Sequence, residues 1–239
     1  MASVCVCSDY FKVNEDGELC LVPGSMGLRL VLHYKDVGTF QFQKAEYPWL
    51  ARIQVQAQGG GGGSAAADAA ASQCVVRPGG AGGGWAQATV EASALGAVET
   101  VIVGAGGAGG TNNGGGASGG SSSFGGFVIA QGGDGSTAAQ ASGTTADSVQ
   151  GPAGPLAGSG QYASGGGAGG GGIRLSGTNG LSGAGGESRL GHGGLARAGE
   201  GAGTAPRGYG GGAGGALSYG SDFNGAEGGS GIVIVELFG

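Results

Sequence analysis

The chain has 239 residues, of which 65 are glycine, and a formal net charge of −6 at pH 7. Average proteins contain about 7 % glycine, so an ordinary globular domain is excluded. The presence of only 6 prolines excludes collagen. A disordered linker is excluded because the apolar residues are clustered and only 11 % of the residues are charged. The acidic balance also argues against nucleic acid as a partner, because neutralising phosphates requires clustered Lys and Arg.

Residues 1–37 have an ordinary composition and predict a small β element. Two alternating runs around Asn14-Glu15-Asp16-Gly17 predict a hairpin, in which Gly17 takes the position that needs a positive φ. Pro23-Gly24 predicts a second turn. A third strand then alternates, with Leu28, Leu30, Leu32 and Tyr34 on one face. We predict that this N-terminal segment attaches the protein to a partner.

The cysteines do not predict a metal site. Cys5 and Cys7 share one face of a predicted strand, and Cys20 falls on its hairpin partner, whereas Cys74 lies apart. Neither His33 nor His192 has the spacing of a zinc ligand. We expect small buried thiols, no metal and no cofactor.

Residues 38–239 combine strands with glycine tracts. Alternation places Phe40 and Phe42 on one face of a strand, and Ile53 and Val55 follow after a turn at Pro48. Further strands are predicted in the segments WAQATVEASAL, ETVIVG, GFVIAQ and GIVIVELF. Glycine costs about 1 kcal/mol per residue in a helix relative to alanine, so the intervening Gly, Ala and Ser blocks form no helix of useful length.

Long glycine tracts have one ordered solution that satisfies the backbone. In the polyproline-II conformation, with three residues per turn, glycine backbones approach closely and hydrogen-bond across chains. We therefore predict an all-β fold with glycine-rich coil, in which a β-sandwich framework carries a polyglycine-II helix bundle, with almost no α-helix. The predicted domains are residues 1–37 and residues 38–239.

A dinucleotide fingerprint is present by spacing alone. Gly104, Gly106 and Gly109 form G-x-G-x-x-G straight after the run ETVIV. In a dinucleotide-binding fold a helix begins at these glycines and offers its N-terminal amides to the pyrophosphate. Here the chain continues GTNNGGGASGG, which cannot form that helix, and the same spacing recurs in residues 167–172. We interpret residues 99–110 as a strand that passes into a glycine tract.

No catalytic or membrane signal stands out. The acidic residues of the glycine-rich part are isolated in sequence, which does not favour an acid–base pair, so we expect no enzyme activity. No run of 18 apolar residues and no basic, apolar leader occur, so neither a membrane span nor a secretory signal is predicted.

The order of strands and glycine blocks resembles a known family. The segments that carry it are residues 40–58, 85–110, 125–133 and 228–239. They resemble the glycine-rich domain of bacteriophage tail proteins, particularly the glycine-rich minor tail proteins of actinobacterial siphophages. The resemblance implies a virion protein of the tail tip or fibre, made in the host cytoplasm and assembled as a homotrimer. It also implies loop tips that contact a host cell-surface polymer. Residues 1–37 are not part of the resemblance, and we expect them to attach the protein to other tail proteins. A subunit that only builds the tail tip is the alternative.

The candidate host-contact residues are the few aromatic side chains of the glycine-rich half, together with one arginine. They are Tyr162, Tyr209, Tyr219, Phe223 and Arg207. Two interpretations of the aromatic residues remain open: they cap the glycine bundle, or they project from loops and stack on sugar rings. Arg174, Arg189 and Arg197 lie in the same region and are expected either to bind an anionic polymer or to pair with Glu187 and Glu200.

Overall fold

The computed structural model describes residues 11–22 and 27–239. The predicted turn at Pro23-Gly24 and the cysteines Cys5 and Cys7 lie outside the described residues. The strands are β1 (Phe11–Val13), β2 (Leu19–Leu21), β3 (Leu28–Tyr34), β4 (Gly38–Gln43), β5 (Arg52–Gln58), β6 (Ala67–Asp68), β7 (Val75–Val76), β8 (Trp85–Glu91), β9 (Val98–Val103), β10 (Ser122–Phe124), β11 (Val128–Ala130), β12 (Asp147–Val149), β13 (Tyr162–Ser164), β14 (Gly172–Ser176), β15 (Asn179–Leu181), β16 (Gly191–His192), β17 (Arg207–Gly208), β18 (Leu217–Ser218), β19 (Asp222–Phe223) and β20 (Ile232–Phe238). Helix in these ranges is limited to two 3-10 turns, Lys44–Glu46 and Ala92–Ala94, which confirms the all-β class.

The N-terminal hairpin forms as predicted. β1 pairs antiparallel with β2, and Gly17 adopts a φ of 84° in the turn. The side chain of Asn14 closes the turn, because its Oδ1 accepts the amides of Asp16 and Glu18 at 3.1 and 2.8 Å. Asn is favoured in turns for this ability to bond its own backbone.

Two antiparallel sheets form a β-sandwich. The five-stranded sheet has the order β13-β8-β5-β20-β3, and the four-stranded sheet has the order β11-β10-β9-β4. Alternate residues face inward, so that Ile53, Val55 and Ala57 of β5 are fully buried against the other sheet. The rings of Phe42 and Phe124 lie 5.5 Å apart in this core. β3, which belongs to the segment 1–37, pairs with β20 from Leu28 to Tyr34 and is built into the sandwich.

Glycine tracts continue the strands of this sandwich. β5, β9, β11 and β13 each run directly into a tract, whereas β8, β10 and β20 each begin where a tract ends. The tracts therefore extend along the strand direction as a second layer of the same molecule. We call the boundary between strands and tracts the sandwich end of the bundle.

Residues 59–64 form the central tract of the bundle. Their successive amides point to three different neighbouring segments and return to the same segment every third residue. The N–H to O=C pairs are Gly59 to Gly84, Gly60 to Gly120, Gly61 to Gly229, Gly62 to Ala81, Gly63 to Ala117 and Ser64 to Ala226, at 2.8–2.9 Å. A period of three residues is that of the polyproline-II conformation, which has no internal hydrogen bonds and must find its partners elsewhere.

The neighbours close a hexagonal ring around the central tract. They are residues 78–84, 131–136, 114–120, 104–110, 225–230 and 210–215. Each adjacent pair in this ring is hydrogen-bonded in turn, for example through Ala81 to Asp134, Gly119 to Gly133, Ala117 to Ala108, Gly228 to Gly107, Gly229 to Gly211 and Gly80 to Ala213. The predicted polyglycine-II helix bundle is thus confirmed, and its backbone hydrogen bonds connect different tracts, most of which are distant in sequence.

The three-residue period also determines which positions of a tract have room for a side chain. In the tract that begins at Gly104, Ala105 and Ala108 are exposed, whereas Gly104, Gly107 and Gly110 are buried. A Cβ at Gly106 or Gly109 would lie well under 3.0 Å from a carbonyl oxygen of residues 225–228. The glycines of the G-x-G-x-x-G spacing therefore have a packing reason: a neighbouring backbone occupies the space beside each of them.

Candidate functional site

The loops that connect the tracts gather at the end of the bundle opposite the sandwich, which we call the loop end. The tracts that follow β5, β9, β11 and β13 or precede β8, β10 and β20 each have one terminus at the sandwich, so their other termini lie at the loop end. The segments found there are residues 65–77, 111–113, 137–150, 172–181, 195–203 and 217–224. Short ladders join them, since β7 pairs with β18 and β6 with β19.

The buried guanidinium of Arg77 ties three loop-end segments together. Its Nε donates to the carbonyl of Ala66 at 2.6 Å, its Nη1 to the carbonyl of Gln140 at 2.9 Å, and its Nη2 to Oδ1 of Asn113 at 2.7 Å. Only 1 % of the residue is exposed. Burial lowers the pKa of Arg77 to about 10, which leaves it charged at neutral pH. Asn113, in turn, bonds both the amide and the carbonyl of Asp68.

Arg174 also joins loop-end segments through hydrogen bonds to their carbonyls. Its Nη1 donates to the carbonyls of Cys74 and Ala141, and its Nε donates to the carbonyl of Thr145 at 2.8 Å. Its Nη2 lies 3.4 Å from Oδ2 of Asp147. The expectation that Arg174 binds an external polymer or pairs with Glu187 or Glu200 is wrong, because its buried fork is occupied by these loop carbonyls and by Asp147.

Tyr219 and Phe223 lie at the loop end, but both pack inward. Tyr219 rests on the buried cluster of Cys74, Val76 and Leu217. Its hydroxyl donates to the carbonyl of Ala198 at 3.3 Å, and burial raises its pKa. Phe223 covers a second small cluster that is formed mainly by alanines of residues 67–69 and 216. These two rings therefore cap the glycine bundle, which is the first of the two interpretations of the aromatic residues.

The other candidates lie elsewhere. Tyr162 begins the edge strand β13 of the sandwich, and 68 % of it is exposed. Arg207 and Tyr209 belong to a turn near the sandwich end, where the amide of Tyr209 donates to the carbonyl of Leu190. Arg189 of the adjoining turn stacks on Trp85, the first residue of β8, at 3.9 Å from the ring centroid. The five candidates thus occupy three separate places.

The loop end has an exposed aliphatic surface that the sequence prediction, which selected aromatic residues, did not include. β14 packs one face inward through Arg174, while its other face presents Ile173 and Leu175, and Leu181 of β15 lies directly opposite Ile173. Between 47 % and 58 % of each of these three residues is exposed. We call them the loop-end patch. The alternation in the sequence GIRLS was the signal for it, because apolar residues at every second position of a strand share one face.

A groove opens on the side of the bundle, between the tract of residues 182–187 and the ribbon of β16 and β17. It has a volume of about 560 Å³, and its wall includes Glu187, His192, Leu195, Thr204 and Arg207. Nδ1 of His192 lies 2.8 Å from Oε2 of Glu187. His192 and Arg207 are directly opposite each other in the β16–β17 ladder. The groove therefore combines a carboxylate, an imidazole and a guanidinium with an exposed leucine.

Comparison with known proteins assigns the chain to a family. Residues 36–238 match the family described as glycine-rich domain, and the chain belongs to it. A search of curated proteins finds no match. Within residues 11–22 and 27–239, no helical segment has the length and hydropathy that a membrane span requires. The same ranges contain no group of three or more His, Cys, Asp or Glu side chains placed to hold a metal ion.

Proposed function

We propose that this protein is a structural virion component of a phage tail tip or fibre, and that its loop end contacts the host cell surface. The observation that carries the proposal is the position of the loop-end patch. Ile173, Leu175 and Leu181 form an exposed aliphatic surface at the far end of a bundle whose backbone hydrogen bonds run between tracts. Exposed apolar patches mark interaction sites, and a stiff bundle is suited to presenting one at a distance from its anchor. The role is structural and adhesive, not catalytic.

The opposite end supports the attachment part of the proposal. The hairpin β1–β2 exposes Phe11, Val13 and Leu19, of which 36 %, 64 % and 54 % are accessible. A two-stranded hairpin alone is marginally stable in water, so a partner that covers these residues would stabilise it. A neighbouring tail protein would be that partner. The exposed edges of the two sandwich sheets would then be covered by contacts within a homotrimer, because association covers exposed edges.

A tail-tip subunit without host contact is the second candidate function. It is favoured by the inward packing of Tyr219 and Phe223, since these aromatic side chains act as caps of the bundle. The two candidates differ in one respect that can be measured. Host contact requires the loop-end patch to affect adsorption, whereas a purely structural subunit does not.

A paired substitution at the loop end distinguishes them. We expect Leu175→Ser with Leu181→Ser to lower adsorption of virions to host cells at least tenfold, because 1.4 kcal/mol of lost contact energy already corresponds to that factor. The matched control is Ile102→Ser with Leu156→Ser, which removes two exposed aliphatic side chains away from the loop end. If the loop-end variant adsorbs as well as the control variant, host contact is contradicted and the role of a purely structural subunit remains. Failure of an antibody against the chain to label virion tails would overturn both.

A further inference from the structure

Arg207 differs from every other arginine of the described residues in having no structural partner. Arg77 and Arg174 hold loop carbonyls, and Nε of Arg197 donates to the carbonyl of Ala202. The remaining guanidinium groups stack on aromatic rings: Arg29 on Trp49, Arg52 on Phe238 and Arg189 on Trp85. In the described ranges no hydrogen bond, ion pair or ring contact engages the side chain of Arg207, which lines the lateral groove. Its donors are available to a ligand.

The rest of the groove supplies complementary groups. Glu187 and His192 engage each other through Oε2 and Nδ1, which leaves Oε1 of Glu187 and Nε2 of His192 facing no partner in the described part of the chain. A carboxylate oxygen accepts hydrogen bonds from hydroxyl groups, and an imidazole nitrogen donates or accepts a hydrogen bond. Leu195, of which 67 % is exposed, offers an apolar surface at the same wall. Ligand sites of about 300–1,000 Å³ that combine apolar walls with a few polar groups are typical of small-molecule binding.

We infer that this groove binds a sugar unit that carries a single anionic group. The guanidinium of Arg207 matches the geometry of a carboxylate or phosphate, which it binds through two parallel N–H donors. His192 lies across the β16–β17 ladder from it and adds a second hydrogen bond. Glu187 then accepts ring hydroxyls, and Leu195 covers the apolar face of the sugar. The Glu187 carboxylate also disfavours ligands with several adjacent charges, because like charges repel in the same groove.

The groove is separate from the loop-end patch, although Leu195 of its wall belongs to the loop-end segment 195–203. The groove lies along the side of the bundle, on the tract of residues 182–187 and on a ribbon near the sandwich, whereas the loop-end patch is formed by β14 and β15. Binding of a soluble saccharide at the groove can therefore be present or absent whether or not the loop-end patch mediates adsorption. The two experiments fail separately.

Titration calorimetry with defined saccharides tests the inference on the full chain. The probes are a glucuronate-containing disaccharide, which carries one carboxylate, glucose 1-phosphate, which carries one phosphate group, and the neutral disaccharide maltose. We expect one or both anionic probes to bind with a Kd of about 1 mM or tighter and maltose to bind at least tenfold more weakly. A response to the glucuronate disaccharide identifies a carboxylate ligand, and a response to glucose 1-phosphate identifies a phosphate ligand.

Matched arginine variants localise the binding. Arg207→Gln is expected to weaken the anionic probe at least tenfold, and Arg207→Lys is expected to recover part of the loss, because lysine retains the charge but not the two-donor fork. The control is Arg52→Gln, since Arg52 lies over Phe238 in the sandwich. Absence of binding by both anionic probes, equal binding of maltose, or unchanged affinity in Arg207→Gln would each overturn the inference.

Discussion

Replacing Gly62 by alanine is expected to lower the free energy of unfolding by more than about 3 kcal/mol, the upper range for overpacking a rigid interior. A Cβ at residue 62 would lie well under 3.0 Å from the carbonyl oxygen of Asp134. The obstacle is backbone of a tract that is itself hydrogen-bonded on both sides, so it cannot rotate away as a side chain would. Thermal unfolding followed by circular dichroism measures the loss.

A graded series keeps this prediction testable if Gly62→Ala fails to fold. At Gly84 the nearest atom to an added Cβ is the carbonyl oxygen of Ser164 at 3.0 Å, and at Gly199 nothing lies within 4 Å. We expect Gly84→Ala to cost about 1–2 kcal/mol and Gly199→Ala to change stability by less than about 0.5 kcal/mol. Equal effects at residues 84 and 199 would contradict the view that neighbouring backbones exclude side chains from the bundle.

Replacing Arg77 by alanine is expected to lower the free energy of unfolding by about 3–5 kcal/mol, because three neutral acceptors lose a donor at about 1–3 kcal/mol each. The change leaves Oδ1 of Asn113 and the carbonyls of Ala66 and Gln140 without this donor. It also opens a cavity where the side chain was fully buried. The loss should concentrate at the loop end, because those acceptors belong to its loops and not to the sandwich.

Hydrogen exchange followed by mass spectrometry locates this effect. We expect faster exchange in residues 65–77, 111–113 and 137–150 of Arg77→Ala, with β5 and β20 protected as in the parent protein. Arg207→Ala is the matched control, because Arg207 is exposed and its side chain has no partner in the described residues; its stability should change by less than about 0.5 kcal/mol. Equal stability of the two variants would remove Arg77 from its assigned role in organising the loop end.

Local patterns were sufficient to predict the framework. Alternation in RIQVQAQ and ETVIV predicted strands at the positions of β5 and β9, and Gly17 predicted the turn between β1 and β2. The glycine content excluded helices and indicated tracts with close backbone contacts. The same reasoning predicted that the G-x-G-x-x-G spacing lies in a glycine tract, and in the structure no helix begins after Gly109. The division at residue 37 stays a prediction, as do the homotrimer and the location in a virion tail.

The host-contact role of the candidate residues stays a prediction, and the structure shows where each of them packs. Aromatic residues were selected because they are rare in the glycine-rich half, yet Tyr219 and Phe223 are half-buried caps. The exposed surface at the loop end is aliphatic, formed by Ile173, Leu175 and Leu181. Whether a large side chain faces water or a small alanine cluster depends on what the fold brings beside it. For Tyr219 and Phe223 that information is not contained in the residue type or in the immediate neighbours, whereas the alternation in GIRLS does indicate that Ile173 and Leu175 share one face.

The sequence by itself determined the conformations: extended strands, polyglycine-II tracts, and side chains permitted on the outer positions of each tract. The tertiary structure alone decided which tract lies beside which, and hence that residues 59–64 occupy the centre of a ring of six. The physical reason is that a three-residue helix of this kind makes no hydrogen bonds within itself. Its partners lie in other tracts, so a glycine-rich sequence specifies the helix but not which tracts lie beside it. The same long-range packing buried Arg77 and left Arg207 free to line a groove.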